Sequence, residues 1–223
     1  GIRSLIKNPK KTLAGTGKKI SFIGADGSGK STLTKDIEKW LSWKLSVSVY
    51  YNGIPKKIYN RSIDFIVRLL KKLRLEFIAT LLEYYFLIYV ARRRYKISQL
   101  SQKDILYGKV VITDRFPLRD FHSMPEPMDG PRLSHCNTKI GKFFSRIESH
   151  YYTRISYPNC FFVLQADIDE LRRRKSNLPL KNHIMKANAV NAIRGNGQTV
   201  LIDANKPYLD VKLEVKRKIW EIL

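Results

Sequence analysis

Cysteine and acidic side chains are scarce in this chain. Its 223 residues include two cysteines, Cys136 and Cys160, far apart and outside any C-x-x-C or Cys/His cluster. That excludes a disulfide framework and a structural zinc site, and points to a reducing compartment. Cys160 lies in an apolar run and reads as core. The four histidines (His122, His135, His150 and His183) have no metal-ligand spacing, and nothing forms a Ser-His-Asp or Cys-His arrangement. Asp and Glu number 19 against 42 Lys and Arg, a formal charge of +23. Such an excess fits either a solvated, highly soluble surface or one of three kinds of anionic partner: small substrates, nucleic acid or a membrane surface. Nucleic acid ranks last, because no groove-reading motif is present and aromatics do not interleave with the basic clusters. A long uninterrupted apolar run is also missing. Phe77 to Ala91 is strongly apolar, but Glu83 breaks it and Arg92-Arg93-Arg94 ends it, too early for a membrane span. Repeats and low-complexity segments are absent as well.

What is present is a folded composition with one strong motif. Hydrophobic residues make up 43 %, ordinary for a globular chain long enough for one sizeable α/β core. Residues 24–31 read Gly-Ala-Asp-Gly-Ser-Gly-Lys-Ser, a complete G-x-x-x-x-G-K-[ST] phosphate-binding loop. Gly24, Gly27 and Gly29 permit tight turns, and the curled backbone aims N–H groups at phosphates with a helix start behind them. Lys30 reaches the β- and γ-phosphates and the Ser31 hydroxyl suits Mg²⁺. The flanks are those the motif requires: a buried strand, Lys19 to Ile23, and a helix from Thr32 to Trp43 with Leu33, Ile37, Trp40 and Leu41 on one face. Ser28 and Thr32 complete the cradle.

Five β-rich runs punctuate the chain, at 19–23, 47–51, 109–113, 160–164 and 199–202. They are continuously apolar, as parallel strands covered on both faces are. Helical patterns separate them, which implies a doubly wound α/β sheet with ligands at the carboxyl ends of the strands. Residues 62–107 read as a long helical region. Its first part carries Ile63, Ile66, Val67, Leu70 and Leu73 beside Arg68, Lys71, Lys72 and Arg74. A solvated helix face is the more common explanation of such a stretch, and an anionic membrane surface the alternative. Its second part, from Phe77, reads as a buried central helix. Residues 115–150, rich in Pro and Gly at first, read as a functional loop that continues into a helix from Lys139 to Tyr152. The chain opens on Gly1 rather than Met, and residues 1–17 read as a basic linker or tail. The domain is then 18–223, expected as the C-terminal part of a longer protein.

Chemistry gathers near the loop. Asp114 ends the third strand, where a carboxylate can organise Mg²⁺ or its waters, and Arg115 offers a planar fork to a phosphate. Asp26 adds an acid that can orient a Mg²⁺-bound water or a cationic side chain. Arg172-Arg173-Arg174-Lys175 sits on a helix expected at 169–176, and Arg174 is the candidate to close over the phosphates.

Taken in order, these landmarks resemble the thymidylate kinase family of P-loop nucleoside monophosphate kinases. The carriers are Phe22 to Thr32, Ala91-Arg92-Arg93, Val111 to Phe116, Arg174, and Ile202-Asp203-Ala204, spanning about residues 18–223. The resemblance implies a three-layer, doubly wound P-loop NTPase fold with a five-stranded parallel sheet. It also implies ATP as donor, Mg²⁺, and a nucleoside monophosphate or related small phosphorylated acceptor. By position, Arg93 and Arg115 would handle the acceptor phosphate and Asp114 the Mg²⁺ and acceptor region. Arg174 would belong to the lid over ATP, and Ala204 to Lys206, with Asn205, would approach adenine. The chain departs from the family where Ile23 replaces a usual Glu, where Arg92 reverses the charge of an acid, and throughout 116–132. Within that rebuilt segment Asp129 and Arg132 are the acceptor candidates. The pattern looks like divergent thymidylate-kinase-like domains found as fusions or in bacterial surface-polysaccharide clusters. The expectation is a cytoplasmic phosphotransferase, with a homodimer and a peripheral membrane surface among its partners. The alternative is a nucleotide-binding regulatory or membrane-associated module without kinase activity.

Overall fold

The computed structural model describes residues 10–54, 63–118, 130–175 and 180–223, and the backbone alone for 180–183. The chain forms two compact units, one of residues 1–50, 101–114 and 158–223 and the other of 51–100 and 115–157.

The first unit is built on a five-stranded sheet of order β2-β3-β1-β4-β5. Its strands are β1 (Lys19–Gly24), β2 (Val47–Tyr51, whose last residue falls in the second unit), β3 (Val110–Asp114), β4 (Cys160–Gln165) and β5 (Thr199–Asp203). β1 runs parallel to β3 and β4, with Phe22 opposite both Asp114 and Phe162, and β4 runs parallel to β5. Every residue of β1 and β3 is buried. β1, β3 and nearly all of β4 are covered on both faces, as their sequence implied. The edge strands β2 and β5 depart from that expectation, with Val49, Tyr51 and Leu201 exposed. Helices α1 (Lys30–Leu41), α5 (Ile168–Arg174), α6 (Leu180–Asn191) and α7 (Tyr208–Ile222) complete this unit. Leu33, Ile37 and Leu41 of α1 and Val211, Val215 and Ile219 of α7 are buried at helical spacing. Cys160 is buried, and desolvation pushes its thiol up to about 11. It is a core residue, as its apolar surroundings suggested.

The second unit holds α2 (Asp64–Lys72), α3 (Glu76–Leu106, of which residues 101–106 belong to the first unit) and α4 (Lys139–Tyr152). The helical region expected over 62–107 is thus two helices. The break is a Schellman-type end in which Arg74 takes a left-handed φ of 57°. There Leu75 N–H reaches Leu70 O at 2.9 Å and Arg74 N–H reaches Lys71 O at 3.1 Å. The expectation that Phe77 to Ala91 is buried all round is corrected as well. Ala79, Phe86, Val90 and Ala91 are buried, while Phe77, Ile78, Tyr85 and Tyr89 are exposed. The run is one buried stripe with apolar flanks rather than a fully enclosed helix. The helix expected near 139–152 is present, capped by Thr138, whose Oγ1 accepts from Gly141 N–H at 3.0 Å. Among the described residues no helix is long and apolar enough to cross a membrane.

Candidate functional site

The loop between β1 and α1 has the positive-φ backbone expected at two of its three glycines, whereas Gly24 ends β1 without it. Gly27 and Gly29 sit at φ 93° and 84°, conformations that cost a residue with a Cβ. A Cβ at Gly27 would also lie 2.8 Å from Leu171 O. Gly29 is the N-cap of α1, which has no side-chain cap and no acid in its first turn. The N–H groups at the start of α1 are therefore left to an anion, which the helix dipole favours.

Lys30 is buried and its Nζ donates to Ala25 O at 2.6 Å, folded against its own loop. Ser31 Oγ donates to Asp114 Oδ2 at 3.2 Å. The other carboxylate oxygen, Asp114 Oδ1, is buried without a hydrogen-bond partner, as is Ser28 Oγ. Buried polar atoms are nearly always satisfied, so an orphaned carboxylate oxygen beside a hydroxyl is a place where a hard cation fits. Ser31 and Asp114 supply the oxygen donors that Mg²⁺ prefers. Among the described residues no group of three or more His, Cys, Asp or Glu could hold a metal. This pair is thus suited to a cation shared with phosphate and water, which is how Mg²⁺ is usually bound.

Asp26 meets a cationic side chain, Lys186 of α6, at 2.6 Å. Sequence reading had not singled out Lys186. A lysine in a mixed stretch that also holds Lys181 and His183 carries no spacing signal, and only the fold brings it 160 residues back to the loop. Arg174, the last residue of α5, pairs with Glu170 at 2.7 Å. It also lines a cleft of about 200 Å³ together with Ser28, Gly29, Thr32, Ala204 and Lys206. Part of the set expected for the donor base and phosphates, Ser28, Gly29, Thr32, Arg174, Ala204 and Lys206, thus shares one cleft in the first unit. Asn205 is directed elsewhere, its Oδ1 accepting from Asp167 N–H at 2.9 Å. Tyr208 also lines the cleft. Its hydroxyl donates to Asp36 at 2.9 Å, and burial with that carboxylate pushes it up to about 12.

The second unit contains the remaining candidates. Arg115 follows Asp114 with a left-handed φ of 71°, rare for a residue bearing a Cβ and typical of sites where strain is held by surroundings. The holder is Asn52, buried, whose Nδ2 donates to Arg115 O at 3.2 Å. Arg93 directs its guanidinium to Gly53 O at 2.9 Å and Tyr51 O at 3.4 Å. Arg94 is buried, donating to Asn52 O at 2.9 Å and to the Tyr152 hydroxyl at 2.7 Å. Sequence reading missed Asn52 and Arg94, the first because a lone Asn after a strand has no pattern. The second was hidden inside a basic triplet. Arg132 is exposed; its backbone N–H and that of Leu133 donate to the buried Glu148 carboxylate at 3.0 and 2.8 Å. Desolvation holds that carboxyl above its ordinary value against these hydrogen bonds. Asp129 lies outside the described residues.

No family-level sequence profile matches the chain. Two curated relatives are the uncharacterized ATP-binding protein YghR of Escherichia coli strain K12 and its counterpart in strain O6:H1. Each is 24 % identical over 223 residues, covering 90 % of this chain and 86 % of the relative. Among solved structures, thymidylate kinase from Candida albicans aligns with a TM-score of 0.52 and 18 % identity, over 94 % of this chain and 92 % of that one. Sheet order, loop and helix arrangement define a P-loop α/β fold. More narrowly, it is the fold of the thymidylate kinases in a divergent form, as the order of the motifs implied.

Proposed function

We propose that the protein is an ATP- and Mg²⁺-dependent phosphotransferase of the nucleoside monophosphate kinase type. In this reading the γ-phosphoryl group leaves the bridging oxygen of ADP, and a new P–O bond forms to a phosphate oxygen of a nucleoside monophosphate or related acceptor. The observation that carries the reading is the pairing of Lys30 and Ser31 in a preformed loop with Asp114, whose Oδ1 is buried and unsatisfied. The fold and the name of the E. coli relative support ATP as donor.

Phosphoryl transfer asks a protein for position and charge rather than covalent help. The loop N–H groups and the start of α1 hold the phosphates, and Lys30 exchanges Ala25 O for a phosphate oxygen. Ser31 and Asp114 would hold Mg²⁺, which when bound offsets the negative charge of the phosphates. Arg174, at the rim of the cleft, closes over the donor and stabilises charge spreading onto the γ-oxygens. Arg93, Arg115 and Arg132 are the proposed acceptor contacts, with Asp129 as a fourth. A cytoplasmic location goes with this reading.

The direct test is transfer of label from γ-³²P-ATP to a panel of nucleoside monophosphates and sugar phosphates. One acceptor is expected to be labelled, with a loss of at least 100-fold in Lys30→Ala. Transfer that survives that change would sink the mechanism.

One observation favours a second reading, a nucleotide-responsive module at an anionic surface without transfer. On α2, Phe65, Ile66 and Leu69 are exposed beside Arg68, Lys71 and Lys72. Saturable ATP binding with no labelled product from any acceptor would select this reading over the first.

A further inference from the structure

All three tryptophans of the chain, Trp40, Trp43 and Trp220, line one cleft in the first unit. It holds about 360 Å³, and Lys11, Lys44 and the aliphatic Leu41 and Leu45 complete its wall. The indoles come from the end of α1, the turn after it and the last turn of α7. The cleft therefore stands on rigid elements and owes nothing to the nucleotide loop at the other end of α1. Trp43 is 78 % and Trp220 69 % exposed. Two open indoles in one place are unusual for a side chain that normally buries most of its large surface.

Charge is arranged around them with one sign. Lys44 Nζ stands 4.8 Å over the Trp43 ring and Lys216 Nζ stands 5.1 Å over the Trp40 ring. Lys11 is tied in by backbone hydrogen bonds to Lys44 and Ser46. Among the described residues no acidic side chain lines the cleft, and Glu221, next to Trp220, is held by Lys218 at 2.9 Å. Indoles with an apolar body and a polar N–H settle at the boundary of a bilayer, and lysines lay their stems on apolar surface while lifting the ammonium to phosphate. Lysines near an anionic leaflet add attraction that salt screens.

Two other occupants fit less well. A second copy would bring one lysine-rimmed face against another. Single-stranded nucleic acid stacks on open ring faces, whereas the faces of Trp43 and Trp40 carry ammonium groups, and Trp40 and Trp220 are tilted by 51° rather than parallel.

We propose that this tryptophan cleft is a peripheral docking surface for a bilayer rich in anionic phospholipid, the indoles entering the headgroup region and Lys11, Lys44 and Lys216 meeting lipid phosphates. The inference stands whether or not the loop supports transfer.

Because every tryptophan of the chain lies here, intrinsic fluorescence reads this surface and no other. Full-length protein is titrated with vesicles of equimolar phosphatidylcholine and phosphatidylglycerol, and with phosphatidylcholine alone. The expected result is a blue shift on the anionic vesicles only, quenching by acyl-brominated lipid, and reversal by salt. Lys11→Gln with Lys44→Gln is expected to lower the partition coefficient on the order of 10-fold. Trp43→Ser with Trp220→Ser is expected to abolish co-sedimentation while leaving ATP binding and the circular dichroism spectrum unchanged. No shift with anionic vesicles overturns the proposal, and so does an equal shift with neutral ones. Emission already blue in lipid-free protein, or bluer as protein concentration rises, assigns the rings to the chain itself or to a second copy. Quenching by an oligonucleotide in place of vesicles assigns them to nucleic acid. Undiminished sedimentation of the tryptophan variant would move the membrane contact elsewhere, for example to α2.

Discussion

Lys19 is fully buried in β1, and burial pulls its ammonium down to about 8 from an ordinary value of 10.5. Below about 8 both folded and unfolded chains carry the proton, and the cost of burying the charge stands in full. Between about 8 and 10.5 the unfolded chain binds more protons, so stability rises with pH across that window. Lys19→Met is expected to stabilise the protein near neutral pH by roughly 2–3 kcal/mol, and the gain should vanish toward pH 10.5. Urea unfolding of both proteins at pH 7 and pH 10 checks this, and a gain that does not change with pH would contradict it. Asn52 is a second buried polar residue, and its Nδ2 donates to Arg115 O. Asn52→Ala removes the donor to Arg115 O and is expected to cost about 1–2 kcal/mol, read as a lower thermal midpoint. Neither residue was legible in the sequence. A lysine opening an apolar run and a lone asparagine after a strand owe their roles to what the fold packs around them. Gly27, Gly29, Lys30 and Ser31 were legible, because the motif prescribes backbone geometry as well as residue type.

The strands were read to within about a residue at each end: the central β1, β3 and β4 because a run covered on both faces is largely apolar, the partly exposed edge strands β2 and β5 from their β-rich composition. Helix boundaries were harder where the signal is not a Gly or Pro. Arg74 ends α2 in a left-handed conformation that most sequences give to glycine. Arg74→Gly is therefore expected to stabilise the protein by about 0.5–1 kcal/mol, whereas Arg74→Ala should not. Chemical denaturation of the two variants separates backbone relief from loss of the guanidinium. α6 and α7 escaped the reading, although the first carries Lys186 to Asp26 and the second supplies Tyr208 to the cleft. A double-mutant cycle of Asp26→Asn and Lys186→Met measures the first tie. Their effects on unfolding are expected to be non-additive by about 0.5–1 kcal/mol for this partly exposed pair, and additive effects would contradict a coupled contact.

Across the chain, a +23 charge sits on a fold in which the residues proposed to hold the donor lie in one unit, around the loop between β1 and α1. The fold was legible because landmarks in fixed order imply one topology. The acceptor half was not, because residues 116–132 depart from the pattern and an exposed Arg132 or a strained Arg115 has no template to follow. The basic surface was legible as a charge excess, but its tryptophan-lined portion was not, since Trp220 is distant in sequence from Trp40 and Trp43 and joins them only through the packing of α7 near α1. The claim on which the rest depends is that the loop and Asp114 form one nucleoside triphosphate and Mg²⁺ site. Calorimetric titration with ATP, with and without Mg²⁺, tests it most directly in the wild type, Lys30→Ala and Asp114→Asn. The expected result is wild-type binding tightened by Mg²⁺, loss of at least 10-fold in affinity in Lys30→Ala, and an Asp114→Asn protein that binds ATP but has lost the Mg²⁺ effect. Equal ATP affinity in all three proteins, indifferent to Mg²⁺, would contradict it.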